Sequence, residues 1–298
     1  MVRLLTSLGL VLSSLSLPVL AQTPQNNLTQ ITNWGGNPSG LELRVYVPNK
    51  LKNKPALLLA LHWCGSSGPE YFSSTKYAAL ADKKGFVVLF PSSPKDNNCW
   101  DVATTQSLTH NGGGDSTGLS NMVNWAIGTY GIDASRVYVV GTSSGCMMTN
   151  VMCATYPELF EAASCYSGVP AGCLAGSPGS SPTTADPFCA SGANIKTGAQ
   201  WAQIVHNMYP GYTGSYPRFQ TFHGEADTFV NYPNFGEQLK QWSTVLGVEW
   251  KRNKTDTPET GYTEMIYGNG KELVGYSARG VGHFVPNHED VDMKWFGI

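Results

Sequence analysis

The feature that most constrains this chain is the stretch at 137–145, which reads Val-Tyr-Val-Val-Gly-Thr-Ser-Ser-Gly. Four β-prone residues lead into a Gly-x-Ser-x-Gly turn centred on Ser143, and a helix is predicted from Ser144 to Thr155. Strand, sharp turn and helix form the context of a nucleophile elbow, in which a serine hydroxyl is exposed at the end of a sheet. Gly141 and Gly145 lack the Cβ atoms that would clash in such a turn. The stretch therefore predicts that Ser143 is a nucleophile, and a structural turn with an idle serine is the alternative.

The amino terminus has the pattern of a secretory signal peptide. Arg3 precedes an apolar stretch from Leu4 to Leu20, and Ala21 ends a small-residue cleavage site. Serines and a proline interrupt the stretch, which makes it a poor membrane-spanning helix, although an anchor is the alternative interpretation. We predict a signal peptide at residues 1–21, a catalytic domain at residues 22–298, and a secreted protein with no membrane partner.

Composition argues against two classes of partner and one class of site. Charged residues make up 13% of the chain, well under the usual ~25%. The formal net charge is −2 and the sequence contains no basic block, which argues against nucleic acid and anionic membranes as partners. Because no Cys-x-x-Cys pair or Cys/His cluster has zinc-ligand spacing, we expect no metal.

Cysteines and sequons point to the secretory pathway. Seven cysteines in a secreted chain indicate disulfide bonds, and the odd number leaves at least one cysteine unpaired. The sequons at Asn27 and Asn253 lie in polar surroundings that suit N-glycans. We therefore expect a disulfide-bonded glycoprotein.

Apolar runs and helical spacings alternate along the chain. Residues 55–61 and 86–90 are continuous apolar runs, typical of strands buried on both faces. Further strands are predicted at 43–47, 137–140, 162–166, 219–222, 262–267 and 273–277, and helices at 70–84, 119–127, 144–155 and 235–246. Residues 168–198 lack periodicity, which is typical of a functional or stapled loop. This alternation predicts one α/β domain whose mostly parallel central sheet is covered by helices on both faces.

A serine nucleophile needs a base to accept its proton and an acid to orient that base. On an α/β-hydrolase scaffold the acid follows the serine in sequence, and the histidine follows the acid. Asp227 lies just past the strand at 219–222, and His283 lies in a glycine-rich loop after the last strands. Both are therefore expected at the carboxyl edge of the sheet, and we predict a catalytic set of Ser143, Asp227 and His283.

Other acids and histidines remain as alternatives to this set. Glu225 is the serious rival to Asp227 because it lies two residues away. The strand-ending histidines are interpreted as loop-shaping hydrogen-bonding groups, and His288 as a surface residue. The full set of rivals comprises the acids Glu225, Asp256 and Asp290 and the bases His62, His110, His206, His223 and His288.

The oxyanion of an acyl-transfer intermediate needs preorganised hydrogen-bond donors. The backbone N–H of Ser144, directly after the nucleophile, is one candidate, and the loop after an early strand supplies the other. That loop contains Trp63 and Cys64, of which Cys64 is slightly preferred. Trp63, Trp100 and Trp201 are candidates for a sugar-facing surface, with packing as the alternative, above all for Trp201.

Several stretches together resemble a known family. Leu61-His-Trp-Cys, Cys99-Trp-Asp, Gly141-Thr-Ser-Ser-Gly, Tyr156-Pro-Glu-Leu-Phe and Gly282-His-Phe-Val-Pro occur in order along nearly the whole mature chain. They are similar to secreted fungal acetyl xylan esterases of carbohydrate esterase family one, which is related to feruloyl esterases and poly(3-hydroxybutyrate) depolymerases. The resemblance implies a monomeric α/β-hydrolase that removes O-acetyl groups from xylan or xylo-oligosaccharides without a cofactor. The family's nucleophile, acid and base fall on Ser143, Asp227 and His283.

The cysteines depart from the family pattern in part. At Cys146, Cys153 and Cys165 the family carries small or aliphatic residues, so these three are interpreted as small buried apolar side chains. The remaining four suggest two disulfides, Cys64–Cys99 and Cys173–Cys189. The first would join the oxyanion loop to the Trp100 loop, and the second would staple the long loop at 168–198.

Two alternative functions follow from the same residues. A feruloyl esterase or a polyester depolymerase would keep the chemistry and change the substrate, and either would have a larger apolar pocket than an acetyl esterase. A non-catalytic carbohydrate-binding protein belongs to a different class. The complete Ser, Asp and His set argues against it, because a binding protein does not need all three.

Overall fold

A computed structural model describes residues 27–298, so the predicted signal peptide at 1–21 lies outside the described residues. Within this range ten strands form one sheet in the order β1-β2-β4-β3-β5-β6-β7-β10-β9-β8. The strands are β1 Thr29–Ile31, β2 Glu42–Tyr46, β3 Leu57–Leu61, β4 Val87–Ser92, β5 Val137–Thr142, β6 Ala162–Tyr166, β7 Arg218–Gly224, β8 Trp250–Thr255, β9 Tyr262–Tyr267 and β10 Leu273–Ala278.

Six central strands, from β4 to β10 in the spatial order, run parallel to one another. The two strands at each edge are antiparallel: β1 and β2 at one edge, β9 and β8 at the other. Consecutive side chains of a strand point to opposite faces. In β3, Leu57, Leu59 and Leu61 therefore enter one core while Leu58 and Ala60 enter the other. This explains why the central strands read as unbroken apolar runs.

Helices cover both faces of the sheet. They are α1 Gly68–Ser74, α2 Tyr77–Lys84, α3 Asp115–Tyr130, α4 Ser144–Thr155, α5 Pro187–Ala190, α6 Gly198–Met208, α7 Pro233–Val245 and α8 Glu289–Phe296. Apolar side chains of α3, α4, α6 and α7 pack on one face, and those of α1, α2 and α8 pack on the other. None of the helices in residues 27–298 is both long and apolar enough to span a bilayer. The mostly parallel α/β sheet predicted from the sequence is confirmed.

The helix predicted at 70–84 is interrupted. α1 ends at Ser74, and the backbone of Thr75 is extended at φ −120° and ψ 162° before α2 begins at Tyr77. The hydroxyls of Ser73, Ser74 and Thr75 donate to carbonyls one turn back. Such side-chain bonds compete with the helical ladder, which accounts for the break.

Five regular elements are missing from the sequence-based prediction, including the four-residue helix α5 within the predicted loop at 168–198. β1 is three residues long, and β8 carries six exposed residues, so neither offers an apolar pattern. α8 packs mainly through Met293 and Phe296. α6 had a readable signal, because Thr197 and Gln200 form the reciprocal hydrogen bonds of a capping box.

Candidate active site

Ser143 occupies a sharp turn between β5 and α4. Its backbone lies at φ 56° and ψ −117°, a region that residues with side chains rarely adopt. A Cβ on Gly141 would lie 2.2 Å from the carbonyl of Gly145, and one on Gly145 would lie 2.1 Å from the carbonyl of Leu61. The glycines of the motif are therefore required by close backbone contacts, and the turn has the geometry of a nucleophile elbow.

Ser143, His283 and Asp227 form one line of hydrogen bonds. The Nε2 atom of His283 lies 2.8 Å from the Oγ of Ser143. On the other side of the ring, Nδ1 lies 2.8 Å from Oδ2 of Asp227. An ionised Asp227 can only accept, so Nδ1 carries the proton and Nε2 is left to accept from the serine hydroxyl. This is the arrangement in which a histidine can act as a general base toward serine.

Asp227 is held by four donors. Its Oδ1 accepts from the backbone N–H groups of Phe229 and Val230 at 2.9 Å each. Its Oδ2 accepts from His283 and also lies 3.2 Å from Nε2 of His223, which is fully buried. Burial raises the pKa of Asp227, but the bonds from His223 and His283 outweigh it and bring the pKa well below its usual range. The carboxylate is therefore ionised whenever the imidazole needs it.

The loop after β3 lies against the elbow. His62 is buried, its Nδ1 donates to the carbonyl of Trp63 at 2.8 Å, and its Nε2 accepts from the N–H of Ser93 at 3.2 Å. Burial lowers the pKa of His62 to about 4, which keeps the ring neutral in that tautomer. His62 thus shapes the loop. In residues 27–298 the backbone N–H groups of Cys64 and Ser144 donate to no protein acceptor, and they remain candidate oxyanion donors.

A pocket of about 210 Å³ opens beside Ser143 and His283. Its walls are mainly apolar, and its polar groups belong to serines. The lining residues include Trp63, Cys64, Met147, Val169, Leu174, Ser180, Ser181, Pro182, Ala185, Ala190, Phe229, Val230 and Phe284. Drug-sized ligands occupy pockets of ~300–1,000 Å³, so this pocket suits a smaller group. Many of its residues come from the loop at 168–198.

The sugar-facing role predicted for Trp100 and Trp201 is wrong. Trp100 and Trp201 are fully buried. Trp100 connects two loops, because its indole N–H donates to the carbonyl of His62 at 2.8 Å and its backbone N–H donates to Oγ of Ser144 at 2.8 Å. Trp201 lies in the core under α7, where its indole donates to Glu237 at 2.7 Å. Trp63 is partly exposed and lines the pocket.

Apart from His223, which contacts Asp227, none of the rival acids and bases forms a hydrogen bond with Ser143, His283 or Asp227 within residues 27–298. Glu225 accepts from the Ser277 hydroxyl at 2.7 Å, while Asp256 and Asp290 are on exposed segments. His110 stacks on Tyr209 with ring centroids 3.6 Å apart. The interpretation of His288 as a surface residue is wrong. Its ring packs against Phe222 and Tyr262, and burial lowers its pKa.

Residues 27–298 contain three disulfides, of which Cys64–Cys99 contributes Cys64 to the pocket wall. Cys64 is joined to Cys99 and Cys173 to Cys189, the two pairs suggested by the sequence. The interpretation of Cys146 and Cys165 as unlinked apolar side chains is wrong, because they form a third disulfide between α4 and β6. Cys146 and Cys165 are close in space because α4 packs beside β6. Their separation in the sequence does not indicate this contact. Cys153 is free and buried.

The remaining predicted positions are accessible. Asn27 and Asn253 are both exposed, and Oδ1 of Asn253 accepts from the indole N–H of Trp250 at 2.8 Å. No group of three or more His, Cys, Asp or Glu side chains in the described part of the chain is arranged to hold a metal ion.

A second buried carboxylate lies behind the elbow. Asp292 of α8 is fully buried and accepts from Tyr77, Ser164, Tyr166 and Gln220 at 2.6–2.9 Å. Burial raises its pKa to about 6, although hydrogen bonds from Ser164 and Tyr77 oppose the rise. Tyr166 also accepts from the backbone N–H of His288, so the cluster connects the end of the His283 loop to the sheet.

Sequence reasoning missed three residues of the site. His223 was considered only as a loop-shaping group, yet it contacts Asp227. Phe229 and Phe284 are 67% and 66% exposed, and their ring centroids lie 5.6 and 5.3 Å from that of His283. Their positions, two residues after the acid and one after the base, could have indicated a place at the pocket mouth.

Comparisons with known proteins agree with this geometry. Residues 41–246 match the family described as "Esterase PHB depolymerase". A protein named feruloyl esterase B from Neurospora crassa is 50% identical over 273 residues, 91% of this chain and 93% of that protein. Acetylxylan esterase A from Aspergillus ficuum is 46% identical over 296 residues, 97% of this chain and 96% of that protein. The solved acetyl xylan esterase from Aspergillus awamori has a TM-score of 0.86 at 46% identity, covering 91% of this chain and 99% of that chain.

Proposed function

The chain belongs to the esterase PHB depolymerase family and is a carboxylic ester hydrolase, and from this premise we propose that it removes O-acetyl groups from acetylated xylan. The observation that carries the proposal is the line from Ser143 through His283 to Asp227, with 2.8 Å at each step. The small pocket beside Ser143 supports an acyl group of acetyl size.

Acylation begins when Nε2 of His283 accepts the proton of the Ser143 hydroxyl as its oxygen attacks the acetyl carbonyl carbon. The resulting oxyanion is stabilised by the N–H groups of Ser144 and Cys64, donors worth ~3–4 kcal/mol each in comparable enzymes. His283 then protonates the departing sugar oxygen, and an acetyl-enzyme remains. Asp227 holds the ring in the tautomer that this transfer requires and stabilises the imidazolium.

Deacylation reverses the roles. His283 removes a proton from water, the hydroxide oxygen attacks the acetyl-enzyme carbonyl, and the same donors stabilise the second oxyanion. Collapse of the intermediate returns the proton to Ser143 and releases acetate. Side chains, backbone N–H groups and water supply every proton transfer and hydrogen bond in this sequence.

The pocket mouth supports a saccharide leaving group. Trp63, Phe229 and Phe284 place aromatic surface around His283, and two of these rings are mostly exposed. Flat aromatic faces suit the apolar faces of sugar rings. Trp63 therefore keeps its predicted role, and Phe229 and Phe284 take the place of Trp100 and Trp201.

A second candidate, feruloyl ester hydrolysis, is favoured by the mainly apolar pocket wall and by the relatives named feruloyl esterase B. A feruloyl group would have to extend from the pocket across the exposed ring of Phe229 or Phe284. The pocket volume of about 210 Å³ favours the acetyl group.

Secretion and N-glycosylation are part of the proposal. Three disulfides support an oxidising compartment, and exposed Asn27 and Asn253 support glycan attachment. A monomer acting on polymeric or oligomeric xylan fits these features.

The experiment measures acetate release from acetylated xylan beside hydrolysis of methyl ferulate, for the mature protein and for Ser143→Ala. We expect rapid acetate release, slow ferulate hydrolysis, and a fall in kcat on the order of 10⁵–10⁶ in the variant. Unchanged melting temperature serves as the folding control. Faster hydrolysis of methyl ferulate than of acetylated xylan would support the feruloyl esterase function instead. Near-normal activity of Ser143→Ala would exclude the serine mechanism.

A further inference from the structure

A second groove, separate from the pocket beside Ser143, lies over β7, β9 and β10 next to α8. Its volume is about 720 Å³. The groove runs along the strands, from Arg218 and Lys271 at their amino ends to Tyr276, which pairs with Phe222 near the carboxyl ends. It shares no lining residue with the pocket beside Ser143. The groove therefore takes no part in the chemistry proposed above.

Cations dominate this groove. Its walls carry Arg218, Lys254, Lys271 and Lys294 against two carboxylates, Glu161 and Glu264, on a chain whose formal net charge is −2. Arg218 is occupied, since it bonds to Glu161 at 3.4 Å and to the carbonyl of Trp295 at 2.8 Å.

The three groove lysines lack partners. Among the lysines of residues 27–298, Lys76, Lys240 and Lys251 form ion pairs with glutamates. Lys254, Lys271 and Lys294 are exposed and form no ion pair within residues 27–298. Lys254 lies opposite Glu264 across the β8–β9 ladder, but that carboxylate accepts from the Tyr276 hydroxyl at 3.2 Å instead. Three ammonium groups therefore converge on one concave surface with their hydrogens available.

The floor of the groove holds an unused acceptor. Gln220 is fully buried and lines the groove. Its Nε2 donates to Ser164 and Asp292 at 3.0 and 2.8 Å, whereas its Oε1 has no hydrogen-bond partner. Buried amide oxygens are normally satisfied, so this atom is suited to a donor supplied from the groove.

We propose that this groove binds an acidic oligosaccharide, and that Lys254, Lys271 and Lys294 recognise the carboxylate of a uronic acid branch. Glu161 and Glu264 accept from sugar hydroxyls, and the half-buried indole of Trp295 supplies an apolar wall. An inorganic anion would use the lysines but not the carboxylates or the indole. The inference rests on the proposed function only for the choice of a xylan-derived ligand.

A polymer bound in this groove would be held on the same molecule as the active site. Tethering raises the local concentration of ester groups without changing the chemical step. The groove should therefore affect KM for long acidic xylan and leave hydrolysis of small esters unchanged.

The test uses Ser143→Ala, which separates binding from hydrolysis. Calorimetry would compare a xylo-oligosaccharide carrying one glucuronic acid branch with a neutral oligosaccharide of equal length. We expect the acidic ligand to bind at least tenfold more tightly, and replacement of Lys254, Lys271 and Lys294 by Gln to abolish that difference. The matched control replaces the exposed Lys50, Lys54 and Lys83 by Gln, with the same change in charge and less than a twofold effect.

Three results would overturn the proposal. They are equal binding of the acidic and neutral ligands, an unchanged affinity in the groove variant, and displacement of the acidic ligand by inorganic phosphate at equal concentration. A separate assay of 4-nitrophenyl acetate with the groove variant that keeps Ser143 reports on the esterase itself. Absence of that activity in the natural protein would count against the proposed function, whereas normal activity of both proteins with unchanged ligand binding would count against the groove alone.

Discussion

Two buried aspartates, Asp227 and Asp292, differ in the direction of their pKa. Both are almost inaccessible. Asp227 accepts three hydrogen bonds and contacts His223 at 3.2 Å, and Asp292 accepts from four side chains. Yet the pKa of Asp227 is well below its usual range, while burial raises that of Asp292 to about 6. The donors account for the contrast. Histidine rings that can become cationic face Asp227, whereas only hydroxyls and an amide face Asp292.

The difference teaches that the number of hydrogen bonds does not fix the charge state of a buried carboxyl group. At Asp292 the hydrogen bonds from neutral donors lower the pKa but do not outweigh the loss of hydration on burial. The surroundings of Asp227 therefore keep its carboxylate ionised for catalysis. At Asp292 the neighbouring donors need a hydrogen-bond acceptor, and its charge matters less. Replacing each by Asn, or by Ala, should separate these two requirements.

The largest effect is expected for Asp227→Asn. The amide preserves size but cannot stabilise an imidazolium and presents a donor to His283, so kcat should fall by about 10⁴. Initial rates of acetate release measure the loss, and the melting temperature should change by only a few degrees. A fall in kcat of less than tenfold would show that another acid, such as Glu225, orients the histidine.

Next is Asp292→Ala, which leaves donors of Tyr77, Ser164, Tyr166 and Gln220 unpaired in the core. An unsatisfied buried donor costs ~1–3 kcal/mol, and some of these groups will rearrange, so we expect a loss of about 4 kcal/mol in the free energy of unfolding. Urea denaturation measures it. Asp292→Asn keeps an acceptor and is the control, with a loss of less than about 2 kcal/mol. Equal losses in both variants would show that charge matters at this position.

The smallest effect is a pH dependence of stability. The pKa of Asp292 is raised from 3.8 to about 6 on folding, so the folded state binds more protons between these values. Its contribution is complete below pH 4 and is lost as pH rises to 6, at up to ~1.4 kcal/mol per pH unit. The free energy of unfolding of the natural protein minus that of Asp292→Asn should fall across this range.

The difference between the two proteins is the quantity to measure, because other groups titrate in the same range. Asp115 also has a pKa raised to about 6 by burial, and His62, with a pKa lowered to about 4, acts with the opposite sign. Both contributions cancel in the subtraction. A constant difference from pH 4 to pH 7 would mean that Asp292 does not change its pKa on folding.

The candidate site could be predicted where local sequence determines local geometry. The elbow follows from Gly141 and Gly145, whose missing Cβ atoms are needed within the same short stretch. The places of Asp227 and His283 follow from strand ends. Trp100 and Trp201 could not be placed, because an indole in a loop or on an unrecognised helix gives no sign of whether solvent or a core lies beside it. His223 was missed for a related reason, since its contact with Asp227 depends on how the loop after β7 curls back.

In the fold, too, elements with a local sequence pattern could be predicted, whereas elements that depend on tertiary contacts could not. Buried central strands such as β3 carry their apolar pattern openly, so the parallel sheet is predictable. β8 is held by pairing with β9 and has only exposed side chains, so its residues favour no particular structure by themselves. The Cys146–Cys165 bond likewise depends on adjacency of α4 and β6, which appears only after the sheet has formed.

The disulfide between Cys173 and Cys189 has a consequence for how enzymes of this kind can diverge. The segment it encloses, with the residue after it, supplies six pocket-lining residues: Leu174, Ser180, Ser181, Pro182, Ala185 and Ala190. None of the hydrogen-bonded line from Ser143 to Asp227 lies in it. The segment is therefore a disulfide-closed loop that can change independently of the catalytic residues. Substitutions there can alter the acyl group that the pocket accepts while Ser143, His283 and Asp227 stay in place. Selection for a new ester would then need only a few changes in one short interval of the gene.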